Sequence, residues 1–246
     1  MDCGKLLAVI VALNLVTTIV AQSDAGCVTE NYEYAHGKVA EFCVLRGLQD
    51  DVRTARQERF ANVAVLYARI KELPAHFYSR FPHLELLVVR DSSLDWLDIK
   101  GGVRVIHAER NKIRSLRVDG TSELRELYLR ANPIESVASG VSSLPSLEKL
   151  DLSDTAIAKE ETLEVNSFAG LNNLQELYLV DVRAYYFENE KNRVLPNLRL
   201  LDVSRNTFIP TNFDLRLFQA FPRLEVLNLS HGSMTDLSIS NIRSDF

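Results

Sequence analysis

Cysteine, glycine and proline are scarce in this chain of 246 residues, at three, ten and seven. So few cysteines exclude a disulfide-dense small scaffold, and the low glycine and proline counts exclude collagen-like, low-complexity and flexible-linker architectures. Positive charge is not in excess either: 28 Lys and Arg stand against 33 Asp and Glu, a formal net charge of −5, and no run of like charges gathers on one segment. The electrostatic footprint of nucleic-acid binding is missing, so no nucleic acid is expected among the partners. Beyond the N-terminal segment no stretch approaches the roughly 18 apolar residues of a membrane span. What the chain does have is 46% hydrophobic residues, enough for a packed core in one continuous body.

The first 21 residues read as an address. Lys5 precedes an apolar run from Leu6 to Val20, interrupted by Asn14, Thr17 and Thr18, with Ala21 and Ala25 as small residues for cleavage. The run is shorter than the roughly 20 residues that cross a bilayer. It therefore predicts a secretory signal peptide over 1–21, with a retained anchor as the other reading. The mature product is expected to be secreted and extracellular, with no integral membrane segment after processing. Cys3 leaves with the signal, and Cys27 and Cys43 remain as an even pair. They are expected to form one disulfide, which for a loop of this length is worth about 3 kcal/mol in the chain-entropy model. Two free buried thiols are the alternative, and two cysteines alone cannot build a structural zinc site.

The rest is a repeat. LELLVVRDSSL at Leu84, LRELYLRANPI at Leu124, LEKLDLSDTAI at Leu147, LQELYLVDVRA at Leu174, LRLLDVSRNTF at Leu198 and LEVLNLSHGSM at Leu224 share the pattern LxxLxLxxNxL. Two weaker copies begin at Phe60 and Val103. The ninth positions of these eight rungs are Ala68, Ser92, Asn111, Asn132, Thr155, Val182, Asn206 and Gly232, spaced 19 to 27 residues apart. That spacing matches leucine-rich repeats. The fold class is an α/β solenoid: a horseshoe of about eight repeats with a parallel sheet on its concave side. Residues 22–59 are expected to form an N-terminal cap around the disulfide and 60–246 the repeat domain. Positions one, four, six and eleven point inward, while positions three, five and seven alternate outward on each short strand. Asparagine at position nine bonds backbone where the chain turns. Ser92 and Thr155 can substitute in part, so irregular turns are expected at Ala68, Val182 and Gly232. Pro82, Pro145, Pro196 and Pro222 each stand two residues before a rung's first leucine, where proline suits the turn feeding a strand.

With FPHLELL, AFPRLEVL, NSFAGLNNLQELYL and IKELPAHFYSRFPHL, residues 27 to 240 resemble the extracellular leucine-rich repeat proteins of insects, including mosquito leucine-rich immune proteins and Toll-type ectodomains. The resemblance implies recognition of another extracellular protein or a microbial surface component in innate immunity. A matrix or cell-surface adhesion protein, or a shed or truncated receptor ectodomain, is the alternative, and occlusion of an enzyme a third.

The outward positions carry the candidate site. Position five runs Ala64, Val88, His107, Tyr128, Asp151, Tyr178, Asp202, Asn228, and position seven runs Leu66, Arg90, Glu109, Arg130, Ser153, Val180, Ser204, Ser230. Tyrosine and arginine are enriched at interface hot spots. A partner-binding surface is expected at Tyr128, Arg130, Asp151 and Tyr178, flanked by Arg90 and His107. Leu66, Leu86 and Val88 either join it as an apolar patch or pack beneath the N-terminal cap. The segments AKEETLEVN and Arg183 to Arg193, the latter with Tyr185, Tyr186 and Phe187, are expected as rim or convex loops. Asn228 begins the one Asn-x-Ser/Thr sequon and is a candidate glycosylation site. The chain after Leu237 offers no capping device, which raises self-association through the C-terminal end. No HExxH, GxSxG, P-loop or GxGxxG pattern occurs. Neither catalysis, cofactor nor metal is called for; Asp151 and Asp202, about 10 Å apart by strand spacing, are formally a glycosidase-like pair but imply no pocket.

Overall fold

A computed structural model describes residues 27–46, 59–118, 122–136, 140–158, 162–189, 194–208 and 215–232. Residues 1–21, expected as a signal peptide, the end after Gly232, and Glu160, Glu161, Glu190, Lys191 and Arg193 lie outside the described residues. In chain order the strands are β1 (Val28–Ala35), β2 (Lys38–Arg46), β3 (Asn62–Leu66), β4 (Leu86–Arg90), β5 (Trp96–Ile99), β6 (Val105–His107) and β7 (Ser115–Val118). They continue as β8 (Glu126–Tyr128), β9 (Lys149–Asp151), β10 (Thr162–Glu164), β11 (Glu176–Tyr178), β12 (Tyr186–Glu188), β13 (Leu200–Asp202) and β14 (Val226–Asn228). The main sheet has the order β1-β2-β3-β4-β6-β8-β9-β11-β13-β14. From β2 onward its pairs are parallel, so each repeat contributes one strand.

The leucine period makes this sheet. Positions one, four, six, nine and eleven of the first seven rungs are all buried, forming one core that runs the length of the solenoid. Burying a leucine side chain contributes about 1.5–3 kcal/mol, and a rung achieves it only against its neighbours. A further buried position precedes the frame: Phe81, Leu144, Leu171, Leu195 and Phe221 each accept a bond on their carbonyl from the N–H of the first leucine three residues on. Four of these turns carry Pro82, Pro145, Pro196 or Pro222 directly after the buried residue, where fixed φ suits the first central position.

The expected irregular turns do not occur. Position eight is left-handed in every rung, at Tyr67, Asp91, Arg110, Ala131, Asp154, Asp181, Arg205 and His231, with φ between 52 and 60°. None is glycine, so each costs about 1–2 kcal/mol of backbone strain. Against that, the N–H of position eight bonds the position-seven carbonyl of the next rung from Asp91 through Arg205, extending the ladder past the strand. Leaving such a buried donor unpaired would cost a comparable 1–3 kcal/mol or so. Asn206 explains why Val182 needs no amide of its own: its Oδ1 accepts from the N–H of Val182 and Ala184 at 3.0 and 3.1 Å, and its Nδ2 donates to Leu179 O and Val203 O at 2.8 and 2.9 Å. Asn111 repeats this between the second and third rungs, accepting from Ser92 and Leu94 and donating to Val89 O and Ala108 O. Ser92 Oγ accepts from Ala68 N at 3.2 Å, so Ala68 too is served by the following rung.

On the convex side, β5 pairs with β7 and β10 with β12, both in parallel. The two segments expected as loops thus meet, at least through Thr162–Glu164 and Tyr186–Glu188. Phe187 is buried and stacks near Phe208 and Phe221 at 6.2 and 6.3 Å, so it belongs to the core. The one α-helix among the described residues is the single turn Phe77–Arg80; 3₁₀ turns serve elsewhere. Among the described residues no helix is long and apolar enough to cross a membrane.

The N-terminal hairpin is held by the Cys27–Cys43 disulfide, Cα atoms 5.4 Å apart. β2 is buried on both faces: Cys43 and Leu45 enter the solenoid core, while Phe42 and Val44 face the concave side. There they join Ala64, Leu66, Leu86 and Val88 in a second cluster, with Tyr32, Tyr34 and Val105 packed against it. Leu66, Leu86 and Val88 therefore lie under the hairpin and form no exposed patch. A register shift between Glu33 and Ala35 leaves Tyr34 as the extra residue, and such bulges sharpen the twist of a hairpin. The Tyr34 ring reaches His107, three rungs in, at 5.8 Å, and its carbonyl accepts from Arg90 Nη2 at 2.6 Å.

The asparagine ladder is testable by substitution. Asn206→Ala is expected to lower unfolding free energy by about 2–3 kcal/mol in urea titration, since it strands donors and acceptors of two rungs. Asn173→Ala, which removes one exposed bond to Pro145 O, is expected to change it by less than about 0.5 kcal/mol.

Candidate functional site

The concave face from β6 to β14 presents position five as one in-register row: His107, Tyr128, Asp151, Tyr178, Asp202, Asn228. Neighbours in such a row stand about 4.8 Å apart. His107 closes the end beneath the hairpin. It is 3% exposed, its ring stacks on Tyr128 at 4.2 Å with the planes 3° apart, and Tyr34 meets its edge. Arg90 is fixed beside it by Glu109, Nε to Oε2 at 2.7 Å and Nη2 to Oε1 at 2.9 Å. His107 Nδ1 lies 2.9 Å from Arg90 Nη2 and 3.1 Å from Glu109 Oε1, so it either accepts from the guanidinium or donates to the carboxylate. Arg90 and His107, expected as the flank of the partner-binding surface, thus join the hairpin to the third rung, and Arg90 also borders the open cleft beside Arg130. The reason is that the hairpin uses the same outward positions that later rungs leave half-exposed.

Burial alone would raise the Glu109 carboxyl, but hydrogen bonds from His107 and Arg90 and their charge hold it down to about 2. No motif signals this cluster: Arg90 and Glu109 pair across neighbouring rungs beside His107, and the folded-back hairpin covers them through Tyr34.

In the middle rungs the tripeptide Glu-Leu-Tyr occurs twice, at 126–128 and 176–178. Each tyrosine hydroxyl donates to the glutamate two residues before it, Tyr128 to Glu126 at 2.7 Å and Tyr178 to Glu176 at 2.8 Å. Between the two strands lies Lys149, whose Nζ is 5.9 Å from the Tyr128 ring centroid, 5.3 Å from that of Tyr178 and 2.5 Å from Glu176 Oε2. Glu126, Lys149 and Glu176 escape a reading confined to positions five and seven, although the repeated tripeptide marks two of them. Asp151 lies between the tyrosines, half-buried, with Oδ1 accepting from Ser153 N at 2.9 Å. Burial raises its carboxyl above the usual range, against the lowering effect of Ser153 and Arg130. Asp202 repeats the arrangement with Ser204 N at 2.9 Å and also accepts from Asn228 Nδ2 at 2.9 Å. A glycan on Asn228 would displace that last bond.

Arg130 stands apart from the row, on the rim, with Nε 2.7 Å from Asp154 Oδ2. It borders an open cleft of about 610 Å³ between the rim turns and the hairpin tip, lined also by Glu33, His36, Arg110 and Asp154. Among the described residues no group of three or more His, Cys, Asp or Glu side chains is placed to hold a metal.

Two titrations test this geometry. Burial, then the Glu126 and Glu176 hydrogen bonds, raises the Tyr128 and Tyr178 hydroxyls. Phenolate absorbance gained up to about pH 11 is therefore expected to be the same in Tyr128→Phe/Tyr178→Phe as in the parent; a smaller gain would show that these rings ionise normally. Because the folded Glu109 value lies below its ordinary 4.5, its pairing adds stability above that pH and loses it as pH falls towards 2. Glu109→Gln is expected to lower Tm at neutral pH and to flatten its decline over that acid window.

Residues 122–181 match the leucine-rich repeat family. In structure the chain is similar to the leucine-rich repeat protein LIC12759 of Leptospira interrogans, at 18% identity and TM-score 0.55, over 80% of this chain and 56% of that one. It is also similar to human 5T4 (trophoblast glycoprotein, Wnt-activated inhibitory factor 1), at 22% identity and TM-score 0.57, over 78% of this chain and 77% of that one. The chain thus spans little more than half the length of the Leptospira protein. No curated protein sequence matches it. At these identities the structural likeness speaks for fold alone. Together with the buried repeat positions and the parallel strand ladder, the match over 122–181 and these structural likenesses show a leucine-rich repeat solenoid fold.

Proposed function

We propose that the chain is a secreted binding module that engages another extracellular protein or a microbial surface component through the concave face of β8, β9, β11 and β13. One observation carries the reading. The hairpin covers the apolar concave positions of the first rungs, whereas Tyr128, Lys149, Asp151, Tyr178 and Asp202 remain half-exposed, with rings held in fixed orientation. Preformed aromatic side chains with polar tips are the usual anchors of an interface, because little conformational entropy is lost when they are covered. Leucine-rich repeat domains serve as protein-interaction scaffolds, and nothing in this row resembles reacting groups around a pocket. Secretion is supported by the signal-like segment 1–21 and by the Cys27–Cys43 disulfide, which suits an oxidising compartment. The resemblance to insect extracellular repeat proteins supports innate immune recognition as the setting.

The test is capture. The full chain, recovered from the medium of expressing cells after crosslinking, is expected to carry a secreted partner identifiable by mass spectrometry. Tyr128→Ala/Tyr178→Ala is expected to reduce that capture at least about tenfold with secretion unchanged. Equal capture by the double variant would remove the concave face from the reading, and retention of the parent on the cell layer would favour adhesion.

A further inference from the structure

The charge and pitch of the concave row define the chemistry of what it holds. Asp151 and Asp202 occupy alternate places in the row, with Tyr128 and Tyr178 at the other two. Among the described residues no cationic nitrogen lies within 4.0 Å of Asp151, Asp202 or Glu126, whereas Lys149 and Arg130 are each engaged by an acid, Glu176 and Asp154. Asp151 and Asp202 are thus held by hydrogen bonds from Ser153 N and Ser204 N with no cation in direct contact, Arg130 acting on Asp151 only at longer range, and Asp151 is half-buried, where a charge lacking a close partner is costly. The two tyrosine rings already have the ammonium of Lys149 near their faces, the geometry in which aromatic rings attract cations.

Building on the concave-face reading, we propose that this row binds an extended, cationic segment of another protein, in polyproline II conformation, with Lys or Arg at every third residue. Asp151 and Asp202 are two strands apart, about 9.6 Å at the usual strand spacing. Three residues of polyproline II advance about 9.3 Å. A segment laid across the strands thus sets one cation over each aspartate, and the intervening residues pack against Tyr178 and Tyr128. A β-strand repeats its side chains on one face every 6.8 Å or so, which fits neither the aspartates nor the tyrosines.

The full chain is titrated, by fluorescence anisotropy, into a labelled peptide of repeated Arg-Pro-Pro triplets. Saturable binding that weakens with salt is expected, reduced at least about tenfold in Asp151→Asn/Asp202→Asn and unchanged in Glu135→Gln/Glu188→Gln, which removes two exposed charges elsewhere. A peptide of the same composition with its arginines clustered at one end is expected to bind at least about fivefold more weakly, and a Glu-Pro-Pro peptide not at all. No binding, or equal binding by the Asn variant or the clustered peptide, overturns the proposal. If partner capture is lost in Tyr128→Ala/Tyr178→Ala but intact in Asp151→Asn/Asp202→Asn, the concave-face reading stands and the cationic segment falls. If capture survives both, both fall.

Discussion

A turn buried against its neighbours in a solenoid must find partners for its peptide groups inside the protein, and here the following rung supplies them. Asn111, Asn132 and Asn206 each reach back to the rung before, and Ser92 does so with a hydroxyl. The same side chains tie down their own rung, through Ala108 O, Leu129 O and Val203 O. This exchange joins four of the successive rung pairs, and the backbone bonds from position eight to the next rung's position seven run on through the others, from Asp91 to Arg205. Together they hold the left-handed residue at position eight and keep successive strands in hydrogen-bonding register. That register stacks the leucines into one core and aligns position five into a row.

The two ends of that row differ because the hairpin treats the early rungs as interior. Phe42, Val44, Tyr32 and Tyr34 convert a stretch of concave sheet into a second small core. The charged group at its border, Arg90 with Glu109 and His107, is then largely withdrawn from water and pairs internally. Beyond it the face is polar, with carboxylates and tyrosines where the first rungs carry alanine, leucine and valine. A single sheet thus changes from packing surface to recognition surface within about two strands, and the change is written in which residues occupy positions three and five.

How much of this is legible in the sequence depends on the range of the interactions. Leucine at positions one, four and six reports burial directly, because its periodicity follows from the strand itself; hence the eight rungs and the strand at each of them. The turns at Ala68 and Val182 are misread when each rung is judged alone, since the groups that satisfy them belong to Ser92 and Asn206, 24 residues on in both cases. Arg90 and His107 look like surface residues because only the fold of a hairpin more than 50 residues away covers them, the bond from Arg90 to Tyr34 spanning 56. Lys149, Glu126 and Glu176 are hidden for a different reason: their meaning lies in pairing across strands, which no local pattern expresses.

The backward reach of the position-nine side chains also gives the solenoid a direction. An amide or hydroxyl lost from position nine strips side-chain bonds from two rungs at once, its own and the one before it, so a single substitution loosens a pair of turns. At the N-terminal end this backward reach stops at the bond from Ala68 N to Ser92, and the disulfide-pinned hairpin takes over there by pairing β2 with β3.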